Sequence, residues 1–418
     1  MPRTVAPGPR PSPAAAYSQW IKACADAGWH GTPTAEEVPV RDGLGRVSAA
    51  PVLARWPAPR SACAAMDGIA FKAGPADTVG VWPLTAASFA WVDTGDLMPA
   101  GLDTVVERER IRLRADGSAE ITGPAPRGLN VRVVGEDFPA GELLIPAGHR
   151  LRPADLAAAA AAGHTTLQVA RRPVVAIIPT GDEIRPVGAE LGPGDVTDTN
   201  SLLLASRAGE TGARPLVSEV QPDDPDAIAS EIRRAALAAD IVLVIAGSST
   251  GHSDHSAAVI AGTGGLAVKG VAVRPGHPVL LGYAQPDLGR AGHSTAAIPV
   301  IGIPGYPLAA AVIFELFAVP LLAALQGSQP EDSVRQRAEL ACDWTSPPAV
   351  EDWVPVSLAP VPAGRPADCL VVATPSRRGS GSISRLLRAH AWWPIPIGQG
   401  KFARGDRIDV QPAPGGAL

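Results

Sequence analysis

Two stretches, VVAIIPTGDEI (residues 174–184) and IVLVIAGSSTGHSDH (residues 241–255), decide the fold. Each opens with an unbroken apolar run and breaks into glycine, hydroxyl and acidic residues. A strand wetted on one face alternates apolar and polar residues, whereas an unbroken run marks a strand covered on both faces, as in a parallel sheet flanked by helices. Helical patterns at about 200–212 and 224–238 separate the runs, and VAVRPGHPVLLG (271–282), AIPVIGIPG (297–305) and a helix from Pro307 to about Leu325 continue the alternation. Residues 173–326 therefore read as a central parallel β/α domain.

Outward from this core the pattern changes. Residues 52–140 read as short β segments broken by Gly and Pro, and 327–418 as a second small β domain, a C-terminal barrel. The remainder, 14–51 with 141–172, reads as a discontinuous linker domain. It holds a helix from Pro13 to about Ala27, with Trp20, Ala23 and Cys24 inward, a short helix over 41–50, and a helix in LRPADLAAAAAAG ending at Gly163. Residues 1–13 are Pro-rich and read as unstructured. The fold class is α/β multidomain, in keeping with 418 residues of 46% apolar composition.

Composition narrows the partners. A net charge of −5 without a Lys/Arg block gives no footprint for nucleic acid or an anionic membrane. The four cysteines, Cys24, Cys63, Cys342 and Cys369, form no CxxC pair, so no zinc site or redox dithiol is written here. The N-terminus lacks an apolar signal core and the Ala157–Ala162 run is far too short to cross a bilayer. A cytoplasmic protein with reduced thiols is expected.

In an open parallel sheet ligands bind beyond the carboxyl ends of the strands, so chemistry is expected in the loops that follow each run. The first loop carries Pro179, Thr180, Gly181, Asp182 and Glu183. The second carries Gly247, Ser248, Ser249, Thr250, Gly251, His252, Ser253 and Asp254, whose small residues let backbone N–H groups approach a phosphate or oxyanion. A capped strand-to-helix turn explains that second loop equally well on its own. The third carries Pro304, Gly305, Tyr306 and Pro307. Carboxylates beside a phosphate site suit Mg²⁺, which makes Asp182, Glu183 and Asp254 candidate ligands, with helix capping as the alternative for Asp182 and Asp254. His252 and His255 flank Asp254 without a third soft ligand, which disfavours a transition metal. Arg274, Pro275 and His277 lie in a Pro-rigidified turn that suits an oxyanion, although a solvated Arg274 is the simpler reading. No GxxxxGK[ST], GxGxxG or GxSxG motif is present.

In this order the pieces resemble the molybdopterin molybdenumtransferase family, which includes MoeA and the E domain of gephyrin. VRDGLGRVSAAPVLA with SACAAMDGIAF places Asp67 at the family's MDG aspartate. DTGDLMPAGLDTVVERE carries Thr94, Gly95, Pro99, Gly101 and Glu107, and NVRVVGED carries Asn130, Arg132, Glu136 and Asp137. IIPTGDEI and VTDTNSLLL match its TGDE and D-x-N elements at Asp182, Glu183, Asp198 and Asn200, and GSGSISRLLRAHAWWPIP its last domain through Ser380, Gly381, Ser384 and Arg385. The resemblance spans nearly the whole chain.

That resemblance implies an elongated homodimer of four-domain subunits, with the active site between the β/α domain of one and the small β domain of the other. It implies joining molybdate, or tungstate, to the dithiolene of adenylyl-molybdopterin with release of AMP and with Mg²⁺. A molybdopterin adenylyltransferase and target molybdoenzymes are the implied protein partners. Arg274, Arg385, Ser380 and Ser384 are then candidates to hold the oxyanion, with Asp67 and Asp137 reaching across the dimer.

The chain also departs from the family's usual pattern. Its GG-x-S-x-G is Gly247-Ser248-Ser249-Thr250-Gly251, its KPGKP is Arg274-Pro275-Gly276-His277-Pro278, and its PGNP is Pro304-Gly305-Tyr306-Pro307; a usual Lys is Gly270 and a usual Ser is Ala309. These changes surround the expected pocket. They motivate the alternative of a non-catalytic pterin carrier or scaffold, while a generic Mg²⁺ phosphohydrolase would leave the flanking β domains unexplained.

Overall fold

The computed structural model describes residues 10–74, 81–246, 252–285, 296–329, 335–361, 371–376 and 383–413, with backbone alone at 246 and 252–254. It divides into two compact units, Ala35–Ala170 and the rest of the chain.

The larger unit is built on a six-stranded sheet in the order Arg214–Val217, Val174–Pro179, Ile241–Ala246, Ile298–Pro304, Leu280–Ala284, Gly264–Lys269. Strand 174–179 explains why its sequence lacks alternation. Val175 and Ile177 face one core with Leu243 and Ile301, while Val174, Ala176 and Ile178 face another with Val242 and Val300. Helices Asn200–Glu210 and Pro307–Ile313 cover the first face, and Pro225–Ala236 and His252–Thr263 the second. The first four strands are parallel, as expected, but the last two pair antiparallel. The reason is length: residues 270–279 join Gly264–Lys269 to Leu280–Ala284 and are too few for the crossover helix that a parallel pair needs.

The helix from Pro307 forms, with a change of pitch. Pro307–Ile313 and Val319–Leu325 are α-helical and Phe314–Ala318 is a π turn. Pro320 has no N–H and its ring crowds the carbonyl one turn back, so the widened turn lies just before it. This segment is long and apolar enough to cross a membrane, but its Phe314, Phe317, Leu321 and Leu322 are buried in the core. Arg207 clamps Glu315 in the π turn through Nε–Oε1 (2.6 Å) and Nη2–Oε2 (3.1 Å).

Helix Pro13–Asp26 begins as its sequence requires, with Ser12 Oγ accepting from Ala15 N and Pro13 in the first turn. Its place differs from the expected linker domain. Ala16, Trp20 and Cys24 lie in the core of the β/α sheet, and Trp20 Nε1 donates to Gly282 O at 2.6 Å. The burial stripe could be read from the sequence; the surface it packs against could not.

The C-terminal β region closes on itself. Strands Glu351–Pro360, Val371–Pro375, Gln336–Leu340, Arg407–Pro412 and Ala391–Ile395 bond in that order, and the last bonds the first. Closure leaves no unpaired edge. Val273–Arg274 joins the outside of this barrel by pairing parallel to Glu351–Asp352.

In the smaller unit Ala35–Pro39 pairs antiparallel with Thr166–Ala170 beside helix Pro153–Ala161. The helix expected over 41–50 is absent. Only a 3₁₀ turn, Val40–Asp42, forms before Val47 and Ser48 bridge to Arg150 and Val169. Gly43 and Gly45, the latter at φ +70°, weaken a helix there. The MDG segment leads into strand Gly68–Phe71, held between Phe89–Val92 and Thr104–Glu107. A Cβ at Gly68 would lie 1.8 Å from Val106 O. Gly68→Ala is therefore expected to cost about 1–3 kcal/mol through forced backbone displacement, read as a lower denaturant midpoint. A variant unfolding together with the parent would refute the close approach.

A cleft at the carboxyl ends of the parallel strands

Three neighbouring strands end side by side, with Pro179 opposite Ile245 and Ala246 opposite Pro304. Beyond their ends lies a cleft of about 500 Å³, a size that suits a small ligand. Its walls come from three chain segments. Thr180, Glu183 and Ile184 follow the first strand; Val196, Thr197, Asp198, Thr199 and Asn200 lead into helix Asn200–Glu210; Gly305, Tyr306 and Pro307 follow the third strand. Ile383, first residue of helix Ile383–Arg388, completes the lining.

Local bonding fixes these segments. Thr180 is buried, and its Oγ1 donates to Ile245 O at 2.8 Å. Gly181 adopts φ +137°, and a Cβ there would meet the Glu183 carboxylate at 2.9 Å. Glu183 O accepts from Val196 N (2.8 Å), Arg185 O from Asp198 N (2.8 Å), and Arg185 Nη2 pairs with Asp195 (2.8 Å), which closes the intervening loop. Asp198 Oδ1 accepts from Ser201 N (2.9 Å) and caps the helix. Asn200 Nδ2 donates to Gly305 O at 2.7 Å, while its buried Oδ1 has no partner among the described residues. The carbonyl of Gly305 can only accept, so it fixes which end of the amide faces it.

The expected site residues divide accordingly. Thr180, Glu183, Gly305 and Tyr306 line the cleft, and Gly181 and Pro304 adjoin it. Asp182 does not line it; its Oδ1 accepts at 3.2 Å from Asp223 N, which precedes Asp224, the residue that caps helix Pro225–Ala236. Gly247, Ser248, Ser249, Thr250, Gly251 and Ser380 lie outside the described residues, as does the side chain of Asp254. Ser384 and Arg385 are on helix Ile383–Arg388, where Ile383 alone reaches the lining.

Arg274 is engaged in an ion pair. It is absent from the cleft lining, and its Nε donates to Asp352 Oδ1 at 2.8 Å while Nη2 engages Oδ2. Asp352 is only 3% exposed and also accepts from Ser346 Oγ at 2.8 Å. The guanidinium is thus committed to a carboxylate, which offsets the charge an oxyanion would need. Pro275 and His277 share that turn away from the lining; burial first, and the nearby Arg10 charge second, push the His277 imidazole below its ordinary range.

In the smaller unit Asp67 Oδ1 accepts from both Thr94 N and Thr94 Oγ1 at 2.7 Å. These bonds, backbone first, hold its carboxyl below the usual range, with Arg108 adding to the effect. Asp137 pairs with Arg132 at 2.5 Å, shared with Glu136 at 3.3 Å.

Sequence reasoning left out Pro179, Ile184, Val196, Thr197, Asp198, Thr199, Asn200, Ile245, Pro307 and Ile383 as site residues. The D-x-N element was the available signal for 196–200, since the loop that carries it returns to the strand ends. Nothing local marks Ile383.

Among the described residues no three His, Cys, Asp or Glu side chains converge on a metal position. Glu183 and Asp198 are the carboxylates of the lining. Two carboxylates with waters and ligand phosphates suit Mg²⁺, which rarely takes an all-protein cage.

Models of known families match the chain in sequence: the MoeA N-terminal region (domain I and II) over residues 13–163, a probable molybdopterin binding domain over 176–324, and the MoeA C-terminal region (domain IV) over 337–413. The chain belongs to the MoeA family. A MoeA-family relative from Nostoc sp., a molybdopterin molybdenumtransferase, is 34% identical over 255 residues, 60% of this chain and 56% of that protein. Molybdopterin molybdenumtransferase 2 of Mycobacterium tuberculosis is 31% identical over 281 residues, 66% of each chain. The chain thus spans somewhat less than two thirds of these curated relatives. The crystal structure of the molybdopterin biosynthesis MoeA protein from Pyrococcus horikoshii superposes with a TM-score of 0.74 at 27% identity, covering 96% of this chain and 98% of that one. The MoeA fold therefore extends over nearly the whole molecule.

Proposed function

We propose that the chain is a Mg²⁺-dependent molybdopterin molybdenumtransferase that acts as a cytoplasmic homodimer, joining molybdate or tungstate to adenylyl-molybdopterin and releasing AMP. The observation that carries this reading is the meeting of the TGDE, D-x-N and PG-x-P segments around one cleft. Glu183, with Asp198 beside it in the lining, would hold Mg²⁺. Bound there, the ion supplies positive charge that offsets the repulsion between an anionic pterin and an anionic metal oxide. Thr180 contributes a hydroxyl whose proton is committed to Ile245 O, so toward a ligand its oxygen would act as an acceptor. Ser384 and Arg385, on the helix whose first residue lines the cleft, would hold the oxyanion.

The test is AMP release from adenylyl-molybdopterin with Mg²⁺ and each oxyanion in parallel, with sedimentation for the dimer. Release with either oxyanion is expected, and release with neither rejects the reading. Glu183→Gln should slow release about 100-fold or more, because the metal term amounts to several kcal/mol. One observation favours a second reading, a carrier that binds pterin without turnover: no Lys, Arg or His is among the described residues of the lining. Pterin binding without AMP release would establish it.

A further inference from the structure

We propose that Tyr306 is the stacking platform for a planar, amino-bearing nitrogen heterocycle in this cleft, an inference that rests on the reading above for its ligand class. Tyr306 lines the cleft and is 48% exposed. Among the described residues neither its hydroxyl nor its ring has a partner. A ring half-open to water adds little to the core it stands beside. Covered by the flat face of a ligand, the same ring gains a full contact surface, and such stacking tolerates any base because every base has a π face.

Its backbone is held on both sides. Gly305 O accepts from Asn200 Nδ2 at 2.7 Å, and Asn200 is itself only 8% exposed. Tyr306 O accepts from Ala310 N at 2.9 Å, the first bond of the helix that Pro307 opens. The ring is therefore presented by a fixed turn, and ordering it around a ligand costs little. The rest of the lining suits the same ligand, since Ile184, Val196 and Ile383 are apolar.

Adenine and pterin share this chemistry, and the experiment separates them. The full chain is titrated calorimetrically with AMP and, separately, with neopterin, as parent and as Tyr306→Phe, Tyr306→Leu and Tyr306→Ala. The parent is expected to bind at least one of the two. Phe should stay within about twofold, while Leu and Ala weaken binding of that ring by about 5- to 150-fold. Thermal unfolding should be unchanged, as for other exposed positions away from the core. The arm that responds identifies the ring. Parent-like binding by the Leu or Ala variant, or a parent that binds neither ligand, overturns the platform. Ring-dependent binding without AMP release in the assay above would reject the transferase reading and leave the platform standing.

Discussion

Arg274→Ala is expected to lower the stability of the larger unit by about 3–5 kcal/mol, because it leaves the Asp352 carboxylate buried without its cation. Asp352 is 3% exposed, and Ser346 Oγ supplies one of its bonds, so removal of the guanidinium leaves, among the described residues, only that hydroxyl. The pair also fastens Val273–Arg274 to the barrel strand Glu351–Pro360, since Arg274 stands opposite Asp352 in the parallel register. Replacing both partners with apolar residues, Arg274→Met with Asp352→Leu, should recover most of the loss. Denaturant midpoints of the single and double variants measure this directly. A single variant as stable as the parent but inactive would restore Arg274 as an oxyanion ligand.

Trp20→Ala should cost a similar amount, about 3–5 kcal/mol, through the cavity left by a fully buried indole. The indole sits against Phe317, with ring centroids 6.5 Å apart, and its N–H is the donor to Gly282 O. Trp20→Phe keeps much of the volume and removes the stronger donor, so a loss of about 1–3 kcal/mol is expected from a carbonyl that keeps the weak Cys24 Sγ donor at 3.9 Å. Calorimetric unfolding of the two variants separates volume from hydrogen bond. If Trp20→Ala unfolds with the parent, the helix is not part of the core.

The strands were legible because burial on two faces leaves a one-dimensional trace: 174–179 and 241–246 are apolar throughout. The cleft loops are legible because the carboxyl ends of such strands are where side chains are free of the core, which brings Thr180, Glu183 and Tyr306 forward from the sequence alone. What could not be read depends on distant partners. Arg274 meets a carboxylate 78 residues away, and a charge in a loop looks the same whether its partner is a ligand or a buried acid. The antiparallel edge was in principle accessible, since the length of 270–279 forbids a crossover, but the apolar character of both strands hides their direction. Over 41–50 the apolar spacing suggested a helix, and the two glycines outweighed it.

The first helix has a consequence for how the polypeptide is made. Trp20 finds its hydrogen-bond acceptor 262 residues downstream, beyond the whole of the Ala35–Ala170 unit. At about 5–20 residues per second, translation leaves this amphipathic segment without its cognate surface for some tens of seconds. The intervening unit is compact within its own stretch of chain, so its contacts can form meanwhile. Until the central sheet emerges, the apolar face of this helix stays open to water.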